Sequence, residues 1–251
     1  MNFHRTDRPL VWAHRGASGY APENTLSAFS KAAALGADGV ELDVQLTKDG
    51  EIVVIHDEMI DRTSDGSGWV KDYTLQQLRS FNFNKTIPGW KHEDIPTLRE
   101  VYELLKPTGL TINAELKTGI WFYPGLEEKV VSLTQECAMT DKVLYSSFNH
   151  YTCVKMHELA PASYVGFLYA DGPIDMPGYV ASHGGNALHP ALYNLQYPGY
   201  LEEAARLGLD INVWTVNEEP YMKMCCDAGV NAIITNYPDK ALEIAGQYSG
   251  L

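Results

Sequence analysis

Residues 39–56 of the chain read GVELDVQLTKDGEIVVIH. Two apolar, β-branched runs flank the dipeptide Asp49-Gly50, which is typical of a two-residue hairpin turn. With these two residues in the turn, Asp43 faces His56 across the hairpin. Directly opposed residues share one face of a sheet, about 5 Å apart. The segment therefore predicts a β-hairpin that brings His56 back to the strand bearing Asp43.

Around this hairpin, short apolar runs alternate with amphipathic helical patterns. The predicted strands are residues 10–14, 39–44, 110–116, 143–146, 164–168, 186–189, 210–215 and 231–235. The predicted helices are residues 24–35, 101–106, 126–137, 200–207, 220–228 and 239–248. Eight strands alternating with helices in 251 residues indicate a parallel (β/α)8 barrel. A doubly wound sheet is the alternative, but the chain has neither of its usual phosphate sites, a G-x-G-x-x-G motif or a P-loop.

The stretch 57–95 interrupts this alternation and is rich in Gly, Asp, Ser and Asn. We predict that it forms an insertion subdomain after His56, within a single domain that spans residues 1–251. Active sites of such barrels form from the loops that follow the strands. The insertion could therefore act as a lid, or it could simply pack over the end of the barrel.

Two strands carry charged residues in the same i, i+2 pattern. Alternate residues of a strand point to one side, so Glu41 and Asp43 face the barrel interior while Leu42 faces the helices. Glu115 and Lys117 repeat this geometry on the next barrel strand. Three inward carboxylates without a cysteine favour a hard cation such as Mg²⁺ or Ca²⁺. Lys117 is then either a counter-ion to Glu115 or a contact to an anionic oxygen of a substrate.

The end of the first strand carries His14 and Arg15. The forked guanidinium of Arg15 suits a phosphate, because it can bond two oxygens at once. His14 and His56 could supply a base and an acid, since the pKa of an ordinary histidine is near neutral pH. Asn24 is equally compatible with capping the next helix and with contacting a substrate.

Aromatic residues and one further histidine follow several predicted strands. Phe148, His189 and Trp214 stand at strand ends, where they could line a pocket and bind substrate, although core packing is the alternative for Trp214. The run 121–123 contains three consecutive aromatic residues. It could contact an apolar part of a substrate or pack against the insertion.

The charge of the chain limits its partners. It has 19 Lys and Arg against 32 Asp and Glu, a formal net charge of −13. Nucleic acids and anionic membranes would be repelled, so we expect neither as a partner. No apolar run is long enough for a membrane span. The N-terminal residues show no signal-peptide core, so we expect a cytoplasmic protein.

Eight short motifs occur in one order over roughly residues 10–245: His14-Arg15-Gly16, Pro22-Glu23-Asn24-Thr25, Glu41-Leu42-Asp43-Val44, His56-Asp57, Asp61-Arg62-Thr63, Ile95-Pro96-Thr97-Leu98, Glu115-Leu116-Lys117 and Trp214-Thr215-Val216-Asn217. In this set and order the chain resembles the glycerophosphodiester phosphodiesterase family, in its bacterial, cytoplasmic form. The resemblance implies a distorted (β/α)8 TIM barrel with a small insertion after His56.

The resemblance also implies a site and an activity. Glu41, Asp43 and Glu115 would hold one divalent cation, Mg²⁺ or Ca²⁺, with Mn²⁺ as an alternative. His14 and His56 would be the general acid–base pair, and Arg15 and Lys117 would contact the phosphate. The family hydrolyses small glycerophosphodiesters, the deacylated phospholipids, to glycerol 3-phosphate and an alcohol. The attacking group is either the glycerol hydroxyl, through a cyclic phosphate, or water. The chain would act as a monomer or a homodimer.

The sequence leaves three other functions open. A lysophospholipase D would perform the same chemistry on a substrate that keeps an acyl chain. A non-catalytic barrel could bind a metal or metabolite, although binding alone does not need two proton-transfer groups. A metal-dependent amidohydrolase usually has several histidine ligands, and the chain lacks the His-x-His strand that such a site needs.

Overall fold

The computed structural model describes residues 3–4 and 7–249. Its strands are β1 (Leu10–His14), β2 (Gly39–Leu46), β3 (Ile52–Val54), β4 (Thr111–Leu116), β5 (Val143–Ser147), β6 (Val165–Tyr169), β7 (Ala187–Pro190), β8 (Asp210–Val213) and β9 (Ala232–Thr235). All of these except β3 pair in parallel, and β1 pairs with both β2 and β9. The sheet therefore closes on itself as a (β/α)8 TIM barrel, and the predicted fold class is confirmed.

Helices connect the strands on the outside of the barrel. They are α1 (Leu26–Ala34), α2 (Leu75–Leu78), α3 (Leu98–Leu105), α4 (Leu126–Glu136), α5 (His150–Leu159), α6 (Met176–Ser182), α7 (Tyr200–Leu207), α8 (Glu219–Asp227) and α9 (Pro238–Gly246). The sequence pattern misses α2, α5 and α6. The four residues of α2 are too few to show a helical period, polar and apolar residues are mixed around α5, and a Pro-Gly pair lies inside α6. None of the helices described here is long and apolar enough to cross a bilayer.

The alternation of β2 separates the core from the site. Val40, Leu42 and Val44 pack outward into the main core between sheet and helices, so Glu41 and Asp43 point inward, as predicted. A second cluster of buried side chains fills the lower barrel interior: Phe3, Trp12, Leu144, Tyr164, Ala187, Ala232 and Ile234. Asp43 and Glu115 lie near the carboxyl ends of the paired parts of β2 and β4, the end at which barrels form their sites.

The hairpin turn is one residue longer than the sequence analysis predicts. Leu46 pairs with Ile52, so three residues separate Thr47 from Glu51. The Thr47 hydroxyl accepts a hydrogen bond from the Glu51 backbone N–H at 2.9 Å. Gly50 has a φ of +82°, which suits the left-handed last position of a three-residue loop.

This shift corrects the predicted partner of Asp43. The backbone carbonyl of Asp43 accepts a hydrogen bond from Ile55, at 2.9 Å, so Ile55 and not His56 faces it. The ladder of β3 ends at Val54, and His56 lies beyond it. The direction of the His56 side chain is therefore set by contacts outside the strand pairing.

The insertion has a small core of its own. Its buried apolar residues join those of β3 in one cluster: Val53, Ile55, Ile60, Val70, Leu78, Phe83 and Ile95. The returning chain is also bound to β3, because Val54 donates its N–H to the carbonyl of Pro96 at 2.9 Å. The insertion is thus packed against the hairpin, and its role as a lid stays a prediction.

Gly166 of β6 leaves space that His189 of β7 occupies. A Cβ at Gly166 would lie 2.1 Å from Nε2 of His189. We predict that Gly166→Ala lowers the free energy of unfolding by about 2 kcal/mol, the usual cost of overpacking, in urea titrations. Gly246→Ala is the control, because a Cβ there meets nothing within 4 Å. Equal stability of the two variants would contradict this packing.

Candidate active site

A cavity of about 120 Å³ opens at the carboxyl ends of the barrel strands. Seven residues singled out in the sequence line it: His14, Arg15, Glu41, His56, Glu115, Phe148 and Trp214. These residues come from β1, β2, β4 and the loops that follow β3, β5 and β8. The closed barrel therefore gathers into one cavity side chains that are up to 200 positions apart in the sequence.

Three carboxylates form the floor of this site. Asp43 of β2 is directly beside Glu115 of β4 in the strand register, and Glu41 precedes Asp43 on the same face. One oxygen from each of the three lies within 4.8 Å of the other two. Their exposed fractions are 4% for Glu41, 0% for Asp43 and 7% for Glu115. The barrel thus concentrates three acidic groups where water cannot separate them.

Crowding alters the proton affinity of each group. Burial and the neighbouring charges of Asp43 and Glu115 raise the pKa of Glu41 well above its ordinary value. Burial also raises the pKa of Glu115. Repulsion from Asp43 adds to this rise, and the charge of Lys117 offsets only part of it. The pKa of Asp43 is lowered despite its burial, because His56, Arg15 and Lys117 stabilise its negative charge. Asp43 is therefore the most firmly ionised member of the cluster.

The donor set fits a hard divalent cation. All three groups offer oxygen atoms, which Mg²⁺ and Ca²⁺ prefer. Asn24 donates from Nδ2 to Oδ2 of Asp43 at 2.8 Å, whereas Oδ1 of Asp43 is buried without a hydrogen-bond partner. A buried carboxylate oxygen in this state is costly. A cation among the three carboxylates would supply the partner that Oδ1 lacks.

Two cationic side chains flank the carboxylates. Lys117 donates from Nζ to Oε1 of Glu115 at 2.8 Å, which is the counter-ion contact anticipated from the sequence. Arg15 donates from NH1 to Glu23 at 2.9 Å, and its Nε lies 3.4 Å from Oδ2 of Asp43. The side chains of Arg15 and Lys117 are 17% and 12% exposed. Arg15 lines the cavity, and Lys117 is bonded to Glu115, a carboxylate that lines it.

His14 is fixed through one ring nitrogen. Its Nδ1 lies 2.7 Å from Oδ1 of Asn236, and an amide oxygen only accepts, so Nδ1 carries the hydrogen. Its Nε2 turns toward Glu41, 3.9 Å from Oε2. Burial, and then the charge of Arg15, lower the pKa of His14 to about 4. At neutral pH the ring is therefore uncharged, with Nε2 ready to accept a proton.

His56 is fixed in the same way. Its Nδ1 lies 2.6 Å from Oδ1 of Asp57, and the hydrogen bond with His56 lowers the pKa of Asp57. Asp57 is in turn bonded by Nε of Arg62 at 2.7 Å. Nδ1 is thus occupied, and Nε2 is the nitrogen left for chemistry in the cavity.

Arg62 extends this contact into a chain of ion pairs. It donates from NH1 and NH2 to both oxygens of Glu23 at 2.7 Å, and Glu23 is the partner of Arg15. The chain Arg15–Glu23–Arg62–Asp57–His56 therefore connects the guanidinium on the first barrel loop with the histidine after the hairpin. It also ties the insertion, through Arg62, to the barrel.

Asn24 does not cap α1. That role belongs to Thr25, whose side chain accepts a hydrogen bond from Ala28 N. Asn24 has a φ of +56°, is buried, and directs its side chain at Asp43 instead. Its place in the structure is therefore beside a carboxylate of the cluster.

The predicted aromatic lining is present, and His189 is placed elsewhere. Phe148 and Trp214 meet edge to face with ring centroids 5.3 Å apart, and Phe148 is 43% exposed. Trp214 also donates from Nε1 to the His189 carbonyl at 2.7 Å. The His189 ring has no exposed surface, and its Nε2 lies 2.9 Å from Nδ2 of Asn212. His189 lies in the barrel interior and does not line the cavity.

Comparison with known proteins shows the family to which this chain belongs. The model of the glycerophosphoryl diester phosphodiesterase family matches residues 14–240. The chain belongs to this family. It is 41% identical over 241 residues to a glycerophosphodiester phosphodiesterase of Caldanaerobacter subterraneus subsp. tengcongensis, covering 94% of this chain and 98% of the relative. It is 39% identical over 244 residues to one of Bacillus altitudinis, covering 93% and 97%.

Solved structures agree with these relatives. An Oleispira antarctica phosphodiesterase in complex with the product sn-glycerol-3-phosphate superposes with a TM-score of 0.82 and 29% identity, covering 94% of this chain and 96% of that chain. The resemblance seen in the sequence is confirmed, and the protein is an enzyme of the glycerophosphodiester phosphodiesterase class.

Sequence reasoning missed the residues that position this phosphodiesterase site. Glu23 and Arg62 stand in motifs that carry the resemblance, so their positions were a usable signal. The positions of Asn236 and Asn113 gave no such signal. Asn236 comes directly after an ordinary strand pattern, and Asn113 lies within one. Asn113 lines the cavity and accepts a hydrogen bond from Ser146 at 2.8 Å.

We predict that ionised Glu41 destabilises the metal-free phosphodiesterase, because it is buried beside two other carboxylates. Because the pKa of Glu41 is raised on folding, its contribution to stability is lost as the pH rises through that pKa. At pH 8 in chelated buffer, Glu41→Gln should therefore raise the thermal midpoint by a few degrees. Glu127→Gln is the control, since Glu127 is a buried carboxylate with a cationic partner, Lys155, at 3.1 Å. A lower midpoint for Glu41→Gln would contradict the crowding.

Proposed function

We propose that this phosphodiesterase hydrolyses glycerophosphodiesters to glycerol 3-phosphate and an alcohol, using a divalent cation and two histidines. The observation that carries the proposal is that His14 and His56 border one cavity with the carboxylate cluster. Each histidine is anchored by Nδ1, which leaves Nε2 for proton transfer. The product bound by the Oleispira antarctica relative, sn-glycerol-3-phosphate, supports the same product here.

Glu41, Asp43 and Glu115 would hold the cation. When bound, a divalent cation at this position supplies positive charge and lowers the pKa of a hydroxyl group placed beside it. The buried Oδ1 of Asp43, which makes no hydrogen bond and lies 3.9 Å from Nζ of Lys117, supports this assignment. So does the chemistry of three oxygen donors, which favours Mg²⁺, Ca²⁺ or Mn²⁺ over softer metals.

Arg15 and Lys117 bind the phosphate in this proposal. Both are buried enough for their charges to be weakly screened, and both border the carboxylate cluster. A planar guanidinium suits two phosphate oxygens, and an ammonium group acts as a point charge. Since the phosphodiester keeps its negative charge throughout, these two side chains orient it for attack and stabilise the charge at phosphorus.

The two histidines move the protons. One takes the proton of the attacking hydroxyl as the new P–O bond forms, and the other gives a proton to the oxygen of the alcohol as the old P–O bond breaks. The same pair serves whether the glycerol hydroxyl attacks first, forming a cyclic phosphate that water then opens, or water attacks directly. Asp57 and Asn236 keep the rings in one tautomer for both steps.

Loss of either histidine should stop turnover without unfolding the protein. Acid–base catalysis contributes about 100-fold to 10,000-fold in rate, so His14→Ala and His56→Ala should each lower kcat by at least about 100-fold. The assay is glycerol 3-phosphate release from glycerophosphocholine and glycerophosphoethanolamine, with Mg²⁺, Ca²⁺ or Mn²⁺ added.

The control is His92→Ala, because His92 is exposed and pairs only with Asp94 at the surface. Near-normal kcat in both active-site variants would refute the acid–base assignment. Release of no glycerol 3-phosphate from any glycerophosphodiester by the unaltered protein would refute the proposed substrate class.

One observation favours a second substrate class, the lysophospholipids. The loop after β4 exposes three large apolar side chains: Ile120 at 69%, Trp121 at 46% and Phe122 at 70%. Trp121 also contacts the insertion, with Nζ of Lys71 4.6 Å above its ring. The other two side chains remain open to an acyl chain.

If this loop binds an acyl chain, Phe122→Ser should raise the KM for lysophosphatidylcholine several-fold and leave that for glycerophosphocholine unchanged. The comparison of kcat/KM for the two substrates measures it. An equal rise in KM for both substrates, or no turnover of lysophosphatidylcholine at all, would rule out this second substrate class.

A further inference from the structure

Gln45 is a buried amide aimed at the backbone around His56. It lies on β2, two residues after Asp43, and has no exposed surface. Its Nε2 lies 3.1 Å from the carbonyl oxygen of Ile55, 2.9 Å from that of His56 and 2.8 Å from that of Asp57. One side-chain amide thus donates to three consecutive carbonyls, sharing its two hydrogens among them.

These carbonyls need a partner that the sheet does not supply. The strand β3 ends at Val54, so the segment 55–57 leaves the ladder just before His56. A carbonyl that is at least partly buried and lacks a donor is unfavourable. The Gln45 amide takes the place of the missing strand and fixes the backbone on both sides of His56.

Tyr123 fixes the amide in turn. Its hydroxyl donates to Oε1 of Gln45 at 2.8 Å, and its ring is 3% exposed. The contacts of Nε2 and of Oε1 together allow only one orientation of the amide. A flipped amide would turn its oxygen toward the three carbonyl oxygens. Tyr123 therefore links the loop after β4 to the segment that carries His56.

We infer that Gln45 and Tyr123 are positioning residues for the phosphodiesterase reaction and act through His56. The inference rests on the acid–base role proposed for His56. The ring of His56 is held through Nδ1 by the neighbouring residue Asp57. The position of the ring relative to the carboxylates therefore depends on the backbone of this segment. A displacement of about 1 Å at a catalytic group can cost about 100-fold in rate.

Gln45→Met keeps the length of the side chain and removes the amide. We expect kcat to fall about 10-fold to 100-fold while KM stays within about twofold, because the phosphate ligands are untouched. Tyr123→Phe should give a smaller loss of kcat in the same direction. It deletes a single oxygen atom, so it carries the comparison if Gln45→Met does not fold.

Asn194 provides the matched control. It is also buried, and its Nδ2 donates to two backbone carbonyls, those of Ala170 and Ala191, in the loops after β6 and β7. Asn194→Leu should lower the thermal midpoint much as Gln45→Met does, yet leave kcat unchanged. An equal loss of kcat in both variants would mean that general destabilisation is responsible, and would overturn the inference.

A double variant separates positioning from any other effect. In a His56→Ala protein the group that Gln45 positions is gone, so adding Gln45→Met should not lower the residual kcat further. The same loss in both backgrounds would overturn the inference. An inactive His56→Ala protein beside a fully active Gln45→Met protein would overturn the inference alone, whereas a fully active His56→Ala protein would refute the proposed function on which it rests.

Discussion

Mutual repulsion among Glu41, Asp43 and Glu115 is the constraint around which the site is organised. Their oxygens lie within 4.8 Å of one another with almost no exposure to water, so their negative charges repel with little screening. The protein offsets part of this with Arg15 and Lys117, which lie beside the carboxylates. Burial first, and then the remaining repulsion, raise the pKa of Glu41 and of Glu115. A site that is unfavourable when empty of positive charge is well suited to bind a cation, because binding relieves the repulsion.

The same acidic cluster explains why the surrounding contacts are so strongly ionic. The charges of Arg15, Glu23, Arg62 and Asp57 alternate in sign along the chain of contacts that ends at His56. It holds a guanidinium and a histidine at the cavity without adding net negative charge beside the carboxylates. Because Arg62 belongs to the insertion, this segment helps to build the site as well as packing over the hairpin.

Local patterns predicted the barrel and the inward pair Glu41 and Asp43, because strand alternation and helix periodicity depend only on neighbouring residues. The hairpin register was wrong by one residue, since the hydrogen bond of the Thr47 hydroxyl lengthens a turn that Asp-Gly alone makes look tight. The anchors of the histidines depend on folding at long range: Asn236 is 222 positions from His14. No local signal separates such an asparagine from any other at the end of a strand.

The proposed cation would reverse the sign of a pocket in a chain of net charge −13. When all three carboxylates are ionised against Arg15 and Lys117, the pocket without an ion is net negative and should repel a phosphate ester. The direct measurement is calorimetric titration of glycerol 3-phosphate into fully chelated protein, repeated after Mg²⁺, Ca²⁺ or Mn²⁺ is added. We expect glycerol 3-phosphate not to bind detectably without the ion, and to bind once the ion is restored. Undiminished affinity in the metal-free protein would contradict it.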